Sequence, residues 1–199
     1  IHSLGCAGHG IVLIYAVPLA VDRDISLLSA SIMLSIISLM SVPSRLITPI
    51  LAELYGPKII MSLCLFIQGA TVLVLFWAQD VWMFYLFAAL FGTGFGGEWT
   101  GYLVINRKYF GEGPMAACYG WQMSGALMGH AIAMGLAGLI LFVTGSYGPV
   151  LALSMVFSLG GVVVILTLEP TSRVLIPRWE DSLPPAARSA PAPSASAAD

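Results

Sequence analysis

Six long apolar stretches, separated by short polar breaks, constrain this chain more than any other feature of its sequence. They run roughly 4–21, 26–43 (with a possible continuation to 51), 59–77, 81–105, 115–142 and 150–168. A helix needs about 20 mostly apolar residues to cross the hydrocarbon of a bilayer, and each stretch supplies close to that number. Only 9% of the 199 residues are charged, against about 25% in a soluble domain. A core of this size cannot bury so much apolar surface, so the surrounding solvent is lipid. The expected fold class is an all-α integral membrane protein of six transmembrane helices.

The breaks are Asp22-Arg23-Asp24, Arg45 through Lys58, Ala78-Gln79-Asp80, Asn106 through Pro114, and Gly145 through Gly148. Trp77, Trp82, Tyr109 and Tyr147 lie near stretch ends, where amphipathic rings favour the lipid–water boundary. Consecutive breaks alternate sides of the membrane. Of the 8 Lys and Arg residues, all but Arg23 then fall on one side, and two aspartates flank Arg23. By the positive-inside rule that side is cytoplasmic, which places both ends of the segment there, in a plasma (inner) membrane. The chain opens on Ile1 close to an apolar stretch, without a charged leader or a cleavage site, and so reads as a piece of a longer chain. From Pro170 to Asp199 Pro, Ala and Ser dominate. That composition cannot bury enough to order itself, so a membrane unit over 1–169 and a disordered cytoplasmic tail over 170–199 are expected.

Internal repetition divides the membrane unit. Gly5, Gly10, Tyr15 and Val17 recur at a constant offset as Gly92, Gly97, Tyr102 and Val104. This lays the first stretch over the fourth. An odd number of spans per unit makes the second triplet inverted relative to the first, a construction used by many carriers.

Ionisable groups at membrane depth are costly and are functional candidates by default. Here they are His9, Glu98 and His130, with Gln122 as a polar neighbour. A buried carboxyl such as Glu98, about two turns from the end of the fourth stretch, suits a proton carrier. The imidazoles can carry protons or hydrogen-bond an anion. Each is equally at home as an interhelical polar contact. No basic residue lies at mid-membrane, because Arg45 sits near the end of the second stretch. An anionic solute would find its cationic partner outside this segment. Cys6, Cys64 and Cys118 lack CxxC spacing and read as small buried hydrophobes, so neither a metal nor a cofactor is expected.

Several segments resemble the major facilitator superfamily. The run Leu51-Ala52-Glu53-Leu54-Tyr55-Gly56-Pro57-Lys58 is similar to that family's cytoplasmic loop, G-x-L-A-D-R-x-G-R-K. Leu51, Ala52, Gly56 and Lys58 match and Glu53 keeps the charge, whereas Pro49, Leu54 and Pro57 depart. Leu90 through Gly97, Tyr109-Phe110-Gly111, Tyr119-Gly120, Gly125, Gly129, Gly138 and Thr144 through Tyr147 continue the likeness over about residues 1 to 170. The resemblance implies the C-terminal half of a twelve-helix fold, closest to the monocarboxylate and oxalate/formate carriers. It further implies a partner half of six helices, alternating access, and a cytoplasmic gate at Arg45, Glu53, Gly56 and Lys58. The expected function is secondary transport of a small organic solute, a carboxylate with proton or anion coupling. Nothing points to nucleic acid.

Rival functions fit less well. In a rhomboid-like protease Ser and His cooperate, but Ser124 and His130 lie about 9 Å apart along one helix with a poor angular match. No nucleotide-binding, HExxH or Asp-rich motif occurs. A channel would need a ring of charges or a carbonyl-lined loop, and no segment offers one. A six-helix membrane channel or a non-transporting scaffold remains the alternative to a carrier.

Overall fold

The computed structural model describes residues 1–110 and 115–171. Their regular structure is entirely helical: α1 His2–Val21, α2 Leu27–Tyr55, α3 Pro57–Thr71, α4 Leu73–Trp77, α5 Val81–Phe110, α6 Met115–Thr144 and α7 Tyr147–Thr167. Taken as one span, α3 and α4 run over Pro57–Trp77, with a distortion at Val72 where the Thr71 hydroxyl turns back to Gln68 O at 3.3 Å. Among the described residues five segments are long and apolar enough to cross a membrane: α1, α2, α3–α4, α6 and α7. The sixth expected span, α5, has ample length at 30 residues, but its Gly-Thr-Gly run and Glu98 make it less apolar.

The helix ends follow local chemistry. The Ser26 side chain accepts from Ser29 N at 3.2 Å and starts α2. Gly145, with φ 62, closes α6 and its N–H returns to Leu141 O at 2.8 Å. The Ser146 hydroxyl then accepts from Gly148 N and opens α7. Arg23 donates to Leu75 O at 2.8 Å and also to Ala78 O, which satisfies carbonyls left over at the end of α4. Partial burial lowers the Arg23 pKa from its usual value.

The second expected break is not a loop. The stretch from Arg45 onward stays helical through Tyr55, across Pro43 and Pro49. Proline removes one backbone donor but does not have to end a helix that packs against neighbours in lipid. Here the Ser44 hydroxyl reaches Thr93 O on α5 at 2.5 Å, and Ser41 donates to Ser38 O at 2.7 Å. The turn between α2 and α3 shrinks to Gly56, whose φ of 96 few other residues adopt. Arg45 is thereby moved from a membrane-edge break to the interior of α2, about 15 Å before its end.

Packing is reciprocal. α1 lies against α6 and α7, and α5 lies against α2 and α3, while α3 meets α7. Glycines allow the close approaches: a Cβ on Gly96 would strike the Ser41 backbone, and one on Gly129 would meet Ser3 O at 2.8 Å. The aromatic core between α2 and α5 is built on Phe84, Phe87 and Phe91, all fully buried. Of the apolar window of α1, 61% is buried, but only 22% of that of α2 and 17% of that of α6. The last two therefore present broad apolar faces outward. Of the tail expected at 170–199, all but Pro170 and Thr171 lies outside the described residues, as do positions 111–114 of the fourth break.

Candidate functional site

At the centre of the bundle α1 and α5 bring an acid and an imidazole together. Glu98 is fully buried and His9 is 3% exposed. His9 Nδ1 stands 3.1 Å from Glu98 Oε2. The other carboxylate oxygen, Oε1, accepts from the Tyr102 hydroxyl at 2.6 Å, one helical turn along α5. This is the one acid–base pair in salt-bridge range among the described residues. α5 runs on to Phe110, so Glu98 lies about 18 Å from its end, deeper than the sequence suggested.

The pair has an aromatic rim. The His9 ring meets Phe95 edge-on at 4.9 Å and the His130 ring at 5.8 Å between centroids. Trp99 lies 6.3 Å from His9, and the Arg45 guanidinium stands 5.8 Å from the centre of the Trp99 ring. Arg45 is exposed, and Trp99 and His130 are half-buried. An imidazole and an aromatic wall thus border the buried pair, with the Arg45 cation beyond Trp99.

On the other side of Glu98, a cavity of about 550 Å³ opens between the N-terminal ends of α1 and α6 and the C-terminal ends of α5 and α7. His2 and Tyr102 line it and stack at 3.8 Å. Asn106 and Gln122 also line it, exchanging two amide hydrogen bonds of 2.8 Å each. A Tyr102 hydroxyl between this cavity and Glu98 offers protons a route from cavity to pair.

The structure therefore joins some expected residues and separates others. His9 and Glu98 touch, and His130 faces them. Gln122 belongs to the cavity, two turns of α6 away from His130. The four residues expected at the gate lie apart in this conformation: Arg45 lies over Trp99, and Glu53 is exposed without an ion pair among the described residues. Gly56 is the turn itself. Lys58 donates to Leu168 O at 2.6 Å and Leu166 O at 3.3 Å, tying the start of α3 to the end of α7.

Four participants escaped the sequence reading: His2, Cys6, Tyr102 and Asn106. A signal for them existed. His2, Cys6 and His9 follow each other at helical spacing on one face of α1, as Glu98, Tyr102 and Asn106 do on α5. Gln68, also missed, is fully buried and donates to Gly5 O at 3.3 Å and to Ser158 Oγ at 3.0 Å, joining α3 to α1 and α7.

The family model described as Major Facilitator Superfamily matches residues 3–196. The chain belongs to the major facilitator superfamily. That makes it an integral membrane protein of a transporter family rather than of an enzyme family, whose members bind small solutes within a bilayer. No curated protein matches the chain. In this major facilitator superfamily chain the buried acid–imidazole pair occupies the middle of the two helices that the glycine repeat had aligned.

Proposed function

We propose that this chain is half of an alternating-access secondary transporter for a small organic solute, a carboxylate, driven by a proton that resides on the Glu98–His9 pair. The observation that carries the reading is the 3.1 Å contact between an imidazole and a carboxyl group that are both shut off from solvent. Water cannot repay the cost of charges held there, so each proton gained or lost changes how strongly the α1 and α5 side chains attract. Arg45, exposed beside Trp99, would attract the carboxylate of the solute. It would be the cation for which the sequence had offered no place at mid-membrane.

The reading includes an arrangement of two inverted triplets, α1 to α4 and α5 to α7. In its support, α1 packs on α6 and α7 as α5 packs on α2 and α3. It also includes a second six-helix half covering the open faces of α2 and α6. Both ends would be cytoplasmic in the plasma membrane, with 170–199 as a tail. A closer kinship with monocarboxylate and oxalate/formate carriers belongs to the same proposal. So does a gating role for Arg45, Glu53, Gly56 and Lys58, in which the Lys58 contact to α7 would break as the halves rock.

Uptake of labelled carboxylates by cells making the full-length protein tests this reading. Saturable counterflow driven by an inward proton gradient is expected, and Glu98→Gln should abolish the pH-driven component. A variant with unchanged pH dependence would reject the proton role. Conductive, non-saturable flux would reject the carrier.

A further inference from the structure

The donors around Glu98 have a chemistry that the transport reading does not use. Cys6 lies three residues before His9, nearly one turn away on α1. The Cys6 thiol, a ring nitrogen of His9 and a Glu98 carboxylate oxygen all lie within 4.8 Å of one another. Exposure is 5% for Cys6, 3% for His9 and nil for Glu98. We propose that Cys6, His9 and Glu98 form a binding site for a divalent transition-metal ion of the zinc class.

Three features carry the assignment. The first is donor type. One sulfur, one imidazole nitrogen and one carboxylate oxygen make a mixed set that suits zinc and is too soft for magnesium or calcium. A thiolate and a carboxylate together also cancel a 2+ charge, so the loaded site would be neutral at a depth where net charge is expensive. The second is geometry. Bonds of about 2.0–2.3 Å put tetrahedral ligands roughly 3.3–3.8 Å apart. The 3.1 Å separation of His9 Nδ1 from Glu98 Oε2 already lies near that range, and the thiol closes the remainder by side-chain rotation. The third is the surrounding shell. Tyr102 holds the other carboxylate oxygen, as an outer-shell partner of a metal ligand does. Gly5 makes room for this: a Cβ there would collide with both the Glu98 carboxylate and the Tyr102 hydroxyl.

A route to the three donors is also present. His2 is 6% exposed and both of its ring nitrogens lack a partner among the described residues. It lines the 550 Å³ cavity that leads to Tyr102 and Glu98, so a cation entering the cavity meets an uncommitted imidazole first. The half-buried His130 ring lies against the Cys6 backbone with its centroid 5.8 Å from that of His9.

Cobalt titration of the full-length protein in detergent provides the test, since cobalt reports thiolate coordination by a near-ultraviolet charge-transfer band. A saturating band at one cobalt per chain, displaced by zinc, is expected. Cys6→Ser should remove it, whereas Cys64→Ser and Cys118→Ser should leave it intact. Tyr102→Phe keeps the thiol and should weaken cobalt binding about 10–100-fold. His9→Gln, checked by circular dichroism for an intact helical fold, should weaken it at least as much. A wild-type protein without the band, or a band that survives Cys6→Ser, overturns the site. The readout involves no solute movement, so it is independent of whether the proton role of Glu98 stands.

Discussion

Glycines in this chain do different work at different positions, and space decides which. Gly5 and Gly10 are sockets. A Cβ on Gly5 would strike the Glu98 carboxylate, and one on Gly10 would lie 2.6 Å from the His130 ring. Gly160 has nothing within 4 Å of such an atom. Gly5→Ala should therefore displace Glu98 and suppress pH-driven uptake much as Glu98→Gln does, while surface expression persists. Gly160→Ala should leave uptake unchanged and stability within about 0.5 kcal/mol. Transport assays on the two variants check this, and equal loss in both would show that the Gly5 effect is not local. His9, Glu98 and His130 were legible in the sequence because charge in a greasy stretch is conspicuous. Cys6 and Tyr102 were not, because both residue types pass unnoticed in apolar helices and become partners only when α1 meets α5.

At the level of elements, the clearest disagreement between sequence and structure is α2. Two prolines and Arg45 mark a break in one dimension. In three dimensions α5 lies alongside, Thr93 O takes the Ser44 hydroxyl, and the helix runs on for 29 residues. The turn is concentrated in Gly56 at φ 96, followed by Pro57 as the first residue of α3. An L side chain at φ 96 and ψ 134 costs about 1–3 kcal/mol. Gly56→Ala should lower the thermal unfolding midpoint of the detergent-purified protein. An unchanged midpoint would mean that the α2–α3 turn relaxes to another conformation without cost. The same extension puts Arg45 beside Trp99, which in the proposed reading turns a topology marker into part of the site.

For the whole molecule, the ends of the helices sort into two layers. The α1–α2 turn, with Arg23 bound to carbonyls at the end of α4, belongs to one layer. The start of α3 and the end of α7, joined through Lys58, belong to the other. Thiols introduced at Asp24 and Gln79 should react with an impermeant reagent from one side of the membrane. Thiols at Tyr55 and Lys108 should react from the opposite side. Labelling of Tyr55 and Lys108 from different sides would dismantle the arrangement. In the proposed reading, the outward apolar faces of α2 and α6 are where the second half would pack.

The sequence by itself determined that the chain lives in lipid, that it crosses as helices, and which rare ionisable groups have to be accounted for. Those conclusions follow from transfer free energies, which add along a chain whatever its neighbours do. Only the tertiary structure decided that α2 does not break, that Arg45 stands over Trp99, that Lys58 binds the end of α7, and that Cys6, His9, Glu98 and Tyr102 share one buried spot. These depend on which helix lies beside which. A carbonyl or carboxylate from a distant segment sets what a proline, a lysine or a thiol does, and one-dimensional spacing does not carry that information.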